Sequence, residues 1–180
     1  MTTTEKGLDV GELATEILTG VEEYFAAINV DLPERKFVSA GDTGSIAWDC
    51  EQLTVCMTGI GYGANEDQNS ISGKARAQLS TRIRYVIFSV VLVRCITTDN
   101  ERGSRWPSVI DLHDDGVRFM QDVGHMSQAL LQLATRRNGP IHAMSDADGY
   151  AQAGAVTPIG PEGGFVALDG AFQITVGQLV

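Results

Sequence analysis

The 180-residue sequence has few cysteines, few basic residues and no long apolar run. Its three cysteines, Cys50, Cys56 and Cys95, form no CxxC pair, and their odd number indicates unpaired thiols in a reducing compartment. No run of 18 apolar residues exists, which argues against a membrane-spanning helix. The N-terminal residues also lack the basic and apolar segments of a signal peptide. These absences favour a globular protein without a membrane anchor.

The shortage of basic residues excludes further classes of protein. Thirteen Lys and Arg stand against 23 Asp and Glu, so the formal net charge is −10. Proteins that bind nucleic acids cluster basic residues against phosphates, and an acidic chain repels both nucleic acid and membrane surfaces. We therefore expect no specific nucleic-acid binding and no membrane contact.

The residues that are present suit one domain with a sizeable core. Hydrophobic residues make up 43% of the chain and charged residues 20%, which argues against global disorder. The chain shows no internal repeat and no linker, so residues 1–180 are predicted to form a single domain.

The first predicted element is an amphipathic helix that ends at Asn29 and Pro33. Its apolar residues recur every three or four positions, as one face of a helix requires. They are Val10, Leu13, Ile17, Val21, Tyr24 and Ile28. A turn-rich stretch follows, with Gly41 and Gly44 as its breakers.

Two strands are then predicted, joined by an unusually long loop. Glu51–Thr58 alternates between apolar and polar residues, which is typical of a half-buried strand. Arg82–Ile96 is apolar on both faces, which indicates a central strand or one buried against a neighbouring subunit. The two should pair as an antiparallel hairpin, with the polar, glycine-rich residues 59–80 as an extended loop at its tip.

A second helix is predicted to open at Pro107 and Ser108 and to run to about Arg137. Gly116 and Gly124 weaken it, so we expect a kink or break near Gly124. Its predicted apolar stripe consists of Val109, Leu112, Val117, Met120, Val123, Leu130, Leu131 and Ala134.

The C-terminal part is predicted to consist of short strands. These are Ala155–Ile159 and Phe172–Leu179, with Phe165–Leu168 between them, and a proline- and glycine-rich turn over Pro158–Gly164. The turn should let Phe172, Ile174 and Val176 pair into the sheet. The fold class is therefore α+β: a mixed or mainly antiparallel sheet with two main helices packed on it, in the order helix-strand-strand-helix-strand-strand.

No catalytic or metal-binding motif passes a test of spacing. Gly59–Gly63 lacks the GxGxxG pattern, Ser72–Ala75 lacks the earlier glycine of a phosphate-binding loop, and Asp146–Gly149 lacks the positions of a calcium loop. His113, Asp114 and His142 would need partners from elsewhere to hold a metal. We predict no enzyme activity, no cofactor and no metal site.

Two stretches resemble a known family. Ser45–Val55 (SIAWDCEQLTV) and Thr157–Leu179 (TPIGPEGGFVALDGAFQITVGQL) are similar to tail terminator proteins of long-tailed bacteriophages of actinobacteria. The order of elements between them, from the N-terminal helix to the terminal strand, is also similar. Relatives often carry a cysteine where this chain has Phe165.

The resemblance implies a virion structural protein of the tail's neck region, made in the host cytoplasm. Such subunits close into a hexameric ring that caps the tail tube, stops its polymerisation and joins the head-completion (stopper) proteins, while DNA passes through the bore. The expected partners are thus further copies of the chain, the tail tube protein and the stopper. The interface residues that we expect are Glu66, Asp67, Lys74, Arg76, Gly163 and Gly164.

Three alternatives stay open at this point. The chain could be another neck component, such as a head–tail stopper or adaptor. It could be a tail tube protein, although such proteins are more often dominated by strands. A small enzyme or ligand-binding domain would need ionisable groups gathered in one pocket, which the sequence does not display.

Overall fold

A computed structural model describes residues 9–41, 51–62, 84–96, 108–136, 138, 141, 151–162 and 164–176. The described elements are α1 (Val10–Ala27), β1 (Arg35–Ser39), β2 (Gln52–Tyr62), β3 (Arg84–Cys95), α2 (Val109–Thr135), β4 (Ala151–Glu162) and β5 (Phe165–Val176). The prediction of an α+β fold with two helices and a mixed sheet is confirmed. The predicted order is wrong by one strand, since β1 was not expected.

The unexpected strand β1 lies at one edge of the sheet, parallel to β2. It is five residues long and mostly exposed, with Phe37 beside Thr54 of β2. Its short, charged sequence gives no clear alternation, and the turn-rich stretch around Gly41 follows it directly. Pairing with β2, rather than local pattern, defines this strand.

The five strands form one sheet in the order β1-β2-β3-β5-β4. β2 and β3 form the predicted antiparallel hairpin, in which Leu53 pairs with Leu92. β3 also pairs antiparallel with β5, and Phe88 lies beside Phe172. β3 is therefore the central strand, as its two apolar faces predict.

Both helices pack on the same face of the sheet. Residues Leu13, Ile17, Val21 and Phe25 of α1 are buried against β2 and β3, so the predicted α1 stripe largely forms the core. Residues Met126, Ala129, Leu130 and Leu133 of α2 join the same core. No helix in the described part of the chain is long and apolar enough to cross a membrane.

The opposite face of the sheet is buried as well. Cys56, Val91, Val93 and Ala167 form a second, smaller cluster there, and all are fully buried. Gln52 and Thr54 share this face; their side chains are fully buried, and their polar side-chain atoms find no hydrogen-bond partner among the described residues. The prediction that β2 is half-buried is thus wrong over residues 52–56.

The C-terminal hairpin is longer than the sequence predicts. β4 extends to Glu162 and includes Pro158, so the turn is confined to the residues just before β5. β5 is continuous from Phe165 to Val176 rather than two short strands. The predicted pairing is confirmed, because Phe172 and Ile174 are buried in the sheet beside β3. Pro158 is tolerated because β4 is an edge strand.

Candidate interaction surfaces

Helix α2 begins with a complete capping box. Ser108 is the N-cap, and its Oγ accepts a hydrogen bond from the backbone N–H of Asp111 at 3.1 Å. The Asp111 carboxylate in turn accepts from the backbone N–H of Ser108 at 3.2 Å. Such a cap contributes about 1 kcal/mol. The sequence therefore specifies a firm helix start, although the first turns lie outside the core.

The C-terminal half of α2 is the half that packs. Its buried residues are Asp122, Met126, Ala129, Leu130 and Leu133. The helix continues through Gly124 to Thr135, so the expected break at Gly124 is wrong. The predicted core stripe is also largely wrong, because five of its eight members, Val109, Leu112, Val117, Met120 and Leu131, are exposed.

Four of these exposed residues form a second apolar line on α2. At 3.6 residues per turn Val117, Met120 and Leu131 lie on the side of the helix away from the buried face, with Val109 near them. Leu112 lies in line with the buried Leu130 and is exposed because it belongs to the first turns. We call the line on the far side the α2 stripe: Val109, Gly116, Val117, Met120, Gly124 and Leu131. Val109 is 84% exposed, Met120 69% and Leu131 50%. Six of the eight large apolar residues exposed in the described part of the chain belong to α2, so this helix carries the main apolar surface.

No packing contact among the described residues requires glycine at the two glycine positions of the α2 stripe. A methyl group added to Gly116 or Gly124 would meet nothing within 4 Å. By contrast, a methyl group on Gly20 of α1 would come within 2.2 Å of the Leu133 side chain, which shows that α1 and α2 pack closely there. A glycine inside a helix costs about 1 kcal/mol relative to alanine. Packing within the chain explains Gly20 but does not explain Gly116 or Gly124.

A buried ion network fixes α2 to the end of the sheet. Arg94 of β3 donates from Nε to Asp122 of α2 at 2.9 Å, and both side chains are nearly fully buried. A second guanidinium nitrogen donates to the backbone carbonyl of Asp31 at 2.8 Å. Burial alone would lower the pKa of Arg94, but hydrogen bonds and charges from Asp122 and Glu51 outweigh it and raise the pKa. The guanidinium is therefore a permanent cation that ties three segments together.

Glu51 completes this network from a strained backbone position. Its φ of 56° lies in the left-handed region, which costs roughly 1–2 kcal/mol for a residue other than glycine. One carboxylate oxygen accepts from Arg94 at 3.1 Å, and the other accepts from the backbone N–H of Cys95 at 3.0 Å. These two bonds hold the strained residue at the start of β2. Where α2 leaves the sheet is thus set by charged groups rather than by apolar packing.

The sequence analysis missed this network, although a signal was present. Asp122 occupies the same helical line as Met126, Ala129 and Leu133, at spacings of four, seven and eleven residues. A carboxylate in an otherwise apolar line needs a buried cationic partner. The apolar run of β3 ends at Arg94, so Arg94 was the candidate in the sequence for the cationic partner of Asp122.

The sheet has two unlike edges. β1 exposes Arg35 and Lys36, and Lys36 forms a salt bridge of 3.2 Å with Glu22 of α1. The other edge strand, β4, has no charged residue from Ala151 to Gly160. Within the described residues, neither edge pairs with a further strand. Open edges offer unpaired backbone groups to another chain.

Of the interface residues predicted from the sequence, only Gly164 lies in the described part of the chain. Glu66, Asp67, Lys74, Arg76 and Gly163 lie outside it. The loop predicted over residues 59–80 is wrong over 59–62, which belong to β2, and its remainder lies outside the described residues. Gly164 stands in the turn before β5 with φ of 89°, a conformation that favours glycine. Its carbonyl accepts from the backbone N–H of Ile96 at 3.0 Å, so it joins the β4–β5 turn to the end of β3.

The candidate metal ligands do not come together in the described residues. His113 and Asp114 are exposed on α2, and His142 lies outside the described part. No group of three or more His, Cys, Asp or Glu residues within that part could hold a metal ion. His125 packs edge-on against Phe25, with ring centres 6.0 Å apart, which is a structural role.

The two described cysteines differ in environment. Cys56 is buried and packs as a small apolar residue among Val91, Val93 and Ala167. Cys95 is exposed, because it lies at the last position of β3.

Comparison with known proteins gives no relative from which to transfer a function. The sequence matches no protein-family model and no curated protein.

Proposed function

We propose that this protein is a tail terminator subunit: a virion structural protein that closes into a hexameric ring at the end of a phage tail tube. The ring would stop tube polymerisation and present a face to the head-completion proteins. The class of protein comes from the resemblance of Ser45–Val55 and Thr157–Leu179 to that family. We propose no catalytic role for it.

The observation that carries the ring is the presence of two unlike open edges on one sheet. A cyclic ring is built from head-to-tail contacts, in which one surface of a copy meets a different surface of the next. The cationic edge β1 and the uncharged edge β4 lie at opposite sides of the five-stranded sheet. Contact between β1 of one copy and β4 of the next would repeat around a ring without bringing Arg35 and Lys36 against their own copies.

The acidic character of the chain suits a ring whose bore passes DNA. Net charge of −10 per subunit would repel the phosphate backbone rather than hold it. Tight binding of the purified protein to duplex DNA at physiological salt would contradict this part of the proposal.

Electron microscopy of the purified protein, alone and mixed with its tail tubes, tests the proposal. We expect six-fold rings, or tubes that carry an extra ring at one end and no longer elongate. A double variant Arg35→Glu/Lys36→Glu should lose rings and caps while it stays folded. Asp114→Lys on α2 is the matched charge-changing control and should retain both. A protein that neither forms rings nor binds tube ends would overturn the proposal.

A further inference from the structure

The α2 stripe has the composition of a contact between helices. None of its members is Asp, Glu, Lys or Arg, although the chain as a whole carries a net charge of −10. His113 lies beside it. Two copies of so acidic a chain repel each other over most of their surfaces. The α2 stripe is a surface where two copies can meet without opposing their carboxylates.

The two glycines indicate that the surface beside them accommodates the backbone of another helix. Gly116 and Gly124 each cost the helix about 1 kcal/mol relative to alanine, and no described residue would lie within 4 Å of a methyl group added at either position. Glycine on a helix surface allows another helix to approach closely, at an axis separation near the lower end of ~8–10 Å. Here the two glycines flank the protruding side chain of Met120, four residues away on either side.

Four members of the α2 stripe are spaced symmetrically about Met120, whereas the counterpart of Val117 is the half-buried Val123. Gly116 and Gly124 lie four residues from it, and Val109 and Leu131 lie eleven residues from it, in opposite directions. When two such helices pack antiparallel, Met120 meets Met120, each Gly116 meets a Gly124, and each Val109 meets a Leu131. A contact through a two-fold axis requires this self-complementary order.

Charge also selects the antiparallel arrangement. The first turns of α2 carry Asp111, Asp114 and Asp115, whereas the exposed flank of its later turns carries Gln128 and Gln132. In a parallel pair the acidic first turns of two copies would lie side by side, with Asp114 flanking the contact and Asp111 and Asp115 on the far side of each helix. In an antiparallel pair each acidic end lies beside the partner's amide side chains, and the two Asp114 residues are roughly 18 Å apart along the axis. Opposed helix dipoles add to this preference.

We propose that the α2 stripe binds the α2 stripe of a second copy, antiparallel, with the two-fold axis at Met120. The contact uses α2 alone and leaves both sheet edges free. It does not depend on the proposed tail role. A ring in which the α2 stripe meets a different surface of the next copy would support the tail role and overturn this inference.

Site-directed cross-linking of the full chain tests the geometry. In a background with Cys50→Ser and Cys95→Ser, Met120→Cys should form a covalent dimer on oxidation. Val109→Cys should not, because its two copies would be roughly 33 Å apart, but a mixture of Val109→Cys and Leu131→Cys chains should give the mixed dimer. Thr15→Cys on the exposed side of α1 is the control and should stay monomeric.

Two outcomes would overturn the inference. One is a covalent dimer of Val109→Cys alone, which indicates a parallel or unspecific contact. The other is failure of Met120→Cys to cross-link at concentrations where sedimentation shows the protein to be associated. Sedimentation velocity adds an independent measurement: the wild-type chain should sediment as a dimer, or as a pair of rings where rings form, and Met120→Asp should sediment as half of that species with unchanged helix content. A wild-type chain that sediments as a monomer at every concentration would also refute it.

Discussion

The two halves of α2 contain similar apolar residues in opposite environments. Met126, Leu130 and Leu133 are buried against the sheet, whereas Val109 and Met120 are exposed. The difference arises because the fully buried residues of α2 begin at Asp122, where the Arg94 network holds the helix, and Phe119 is the first apolar residue of the described helix that packs on the core. Apolar content alone therefore does not decide which part of a helix enters the core. The position of a buried charge decides it here.

The largest effect should come from breaking that network. Asp122→Ala leaves the buried Arg94 guanidinium without its closest carboxylate, and we expect a loss of about 3 kcal/mol in the free energy of unfolding. Asp114→Ala, on the exposed half of the same helix, is the matched control and should cost under about 0.5 kcal/mol. Denaturant titration measures both. Equal effects of the two changes would show that Asp122 does not anchor α2.

Substitutions at Gly20 and Gly124 compare the effect on stability of a buried glycine with that of an exposed one. Gly20→Leu should lower stability by about 1–3 kcal/mol, because the new side chain collides with Leu133. Gly124→Leu should instead leave the unfolding free energy of the isolated chain unchanged or raise it by up to about 1 kcal/mol, while it blocks self-association. A chain that Gly124→Leu destabilises as strongly as Gly20→Leu would contradict the view that Gly124 faces open space.

A smaller effect is expected at the start of the exposed half. Ser108→Ala removes the acceptor for the Asp111 backbone N–H and should cost about 1 kcal/mol. Ser108→Asp keeps an acceptor and should restore most of the stability. Circular dichroism during thermal unfolding checks both variants. An unchanged melting temperature for Ser108→Ala would mean that the first turn of α2 is already frayed.

The smallest effect is a pH dependence at the joint between the helices. Burial raises the pKa of Glu16 on α1, opposed by the hydrogen bond from the Ile141 backbone N–H and by the charge of Arg136. The native state thus holds this proton more tightly than the unfolded state, so the contribution of Glu16 to stability falls as pH rises from the unfolded pKa through the folded pKa. Glu16→Gln should lose less stability than the wild type over that interval. Parallel pH profiles of the melting temperature would refute the shift.

Much of the fold follows from the sequence, because period and length identify its main elements. The α1 line from Leu13 to Val21 and the two apolar faces of β3 required no tertiary information. The short strand β1 could not be predicted from its pattern, since partners distant in the sequence define it. On α2 the apolar period was visible, but two apolar lines coexist, and only the Arg94–Asp122 pair shows which one is buried.

The candidate surfaces were less predictable than the fold. The predicted interface residues concentrate in the loop beyond Tyr62, which lies outside the described residues. The α2 stripe was recognised as apolar but assigned to the core. Whether an apolar line on a helix is buried depends on how the helix packs on the sheet. A single sequence therefore does not distinguish a buried line from an exposed one when both have the same period.

Hydrogen–deuterium exchange along α2, measured at several protein concentrations, tests the difference between its halves most directly. We expect amides 122–135 to be protected at every concentration, because the core holds them. Amides 109–121 should exchange fast in dilute protein and become protected as the concentration rises and α2 stripes pair. Equal protection of both halves, independent of concentration, would contradict the proposal that a second copy stabilises the exposed half of α2.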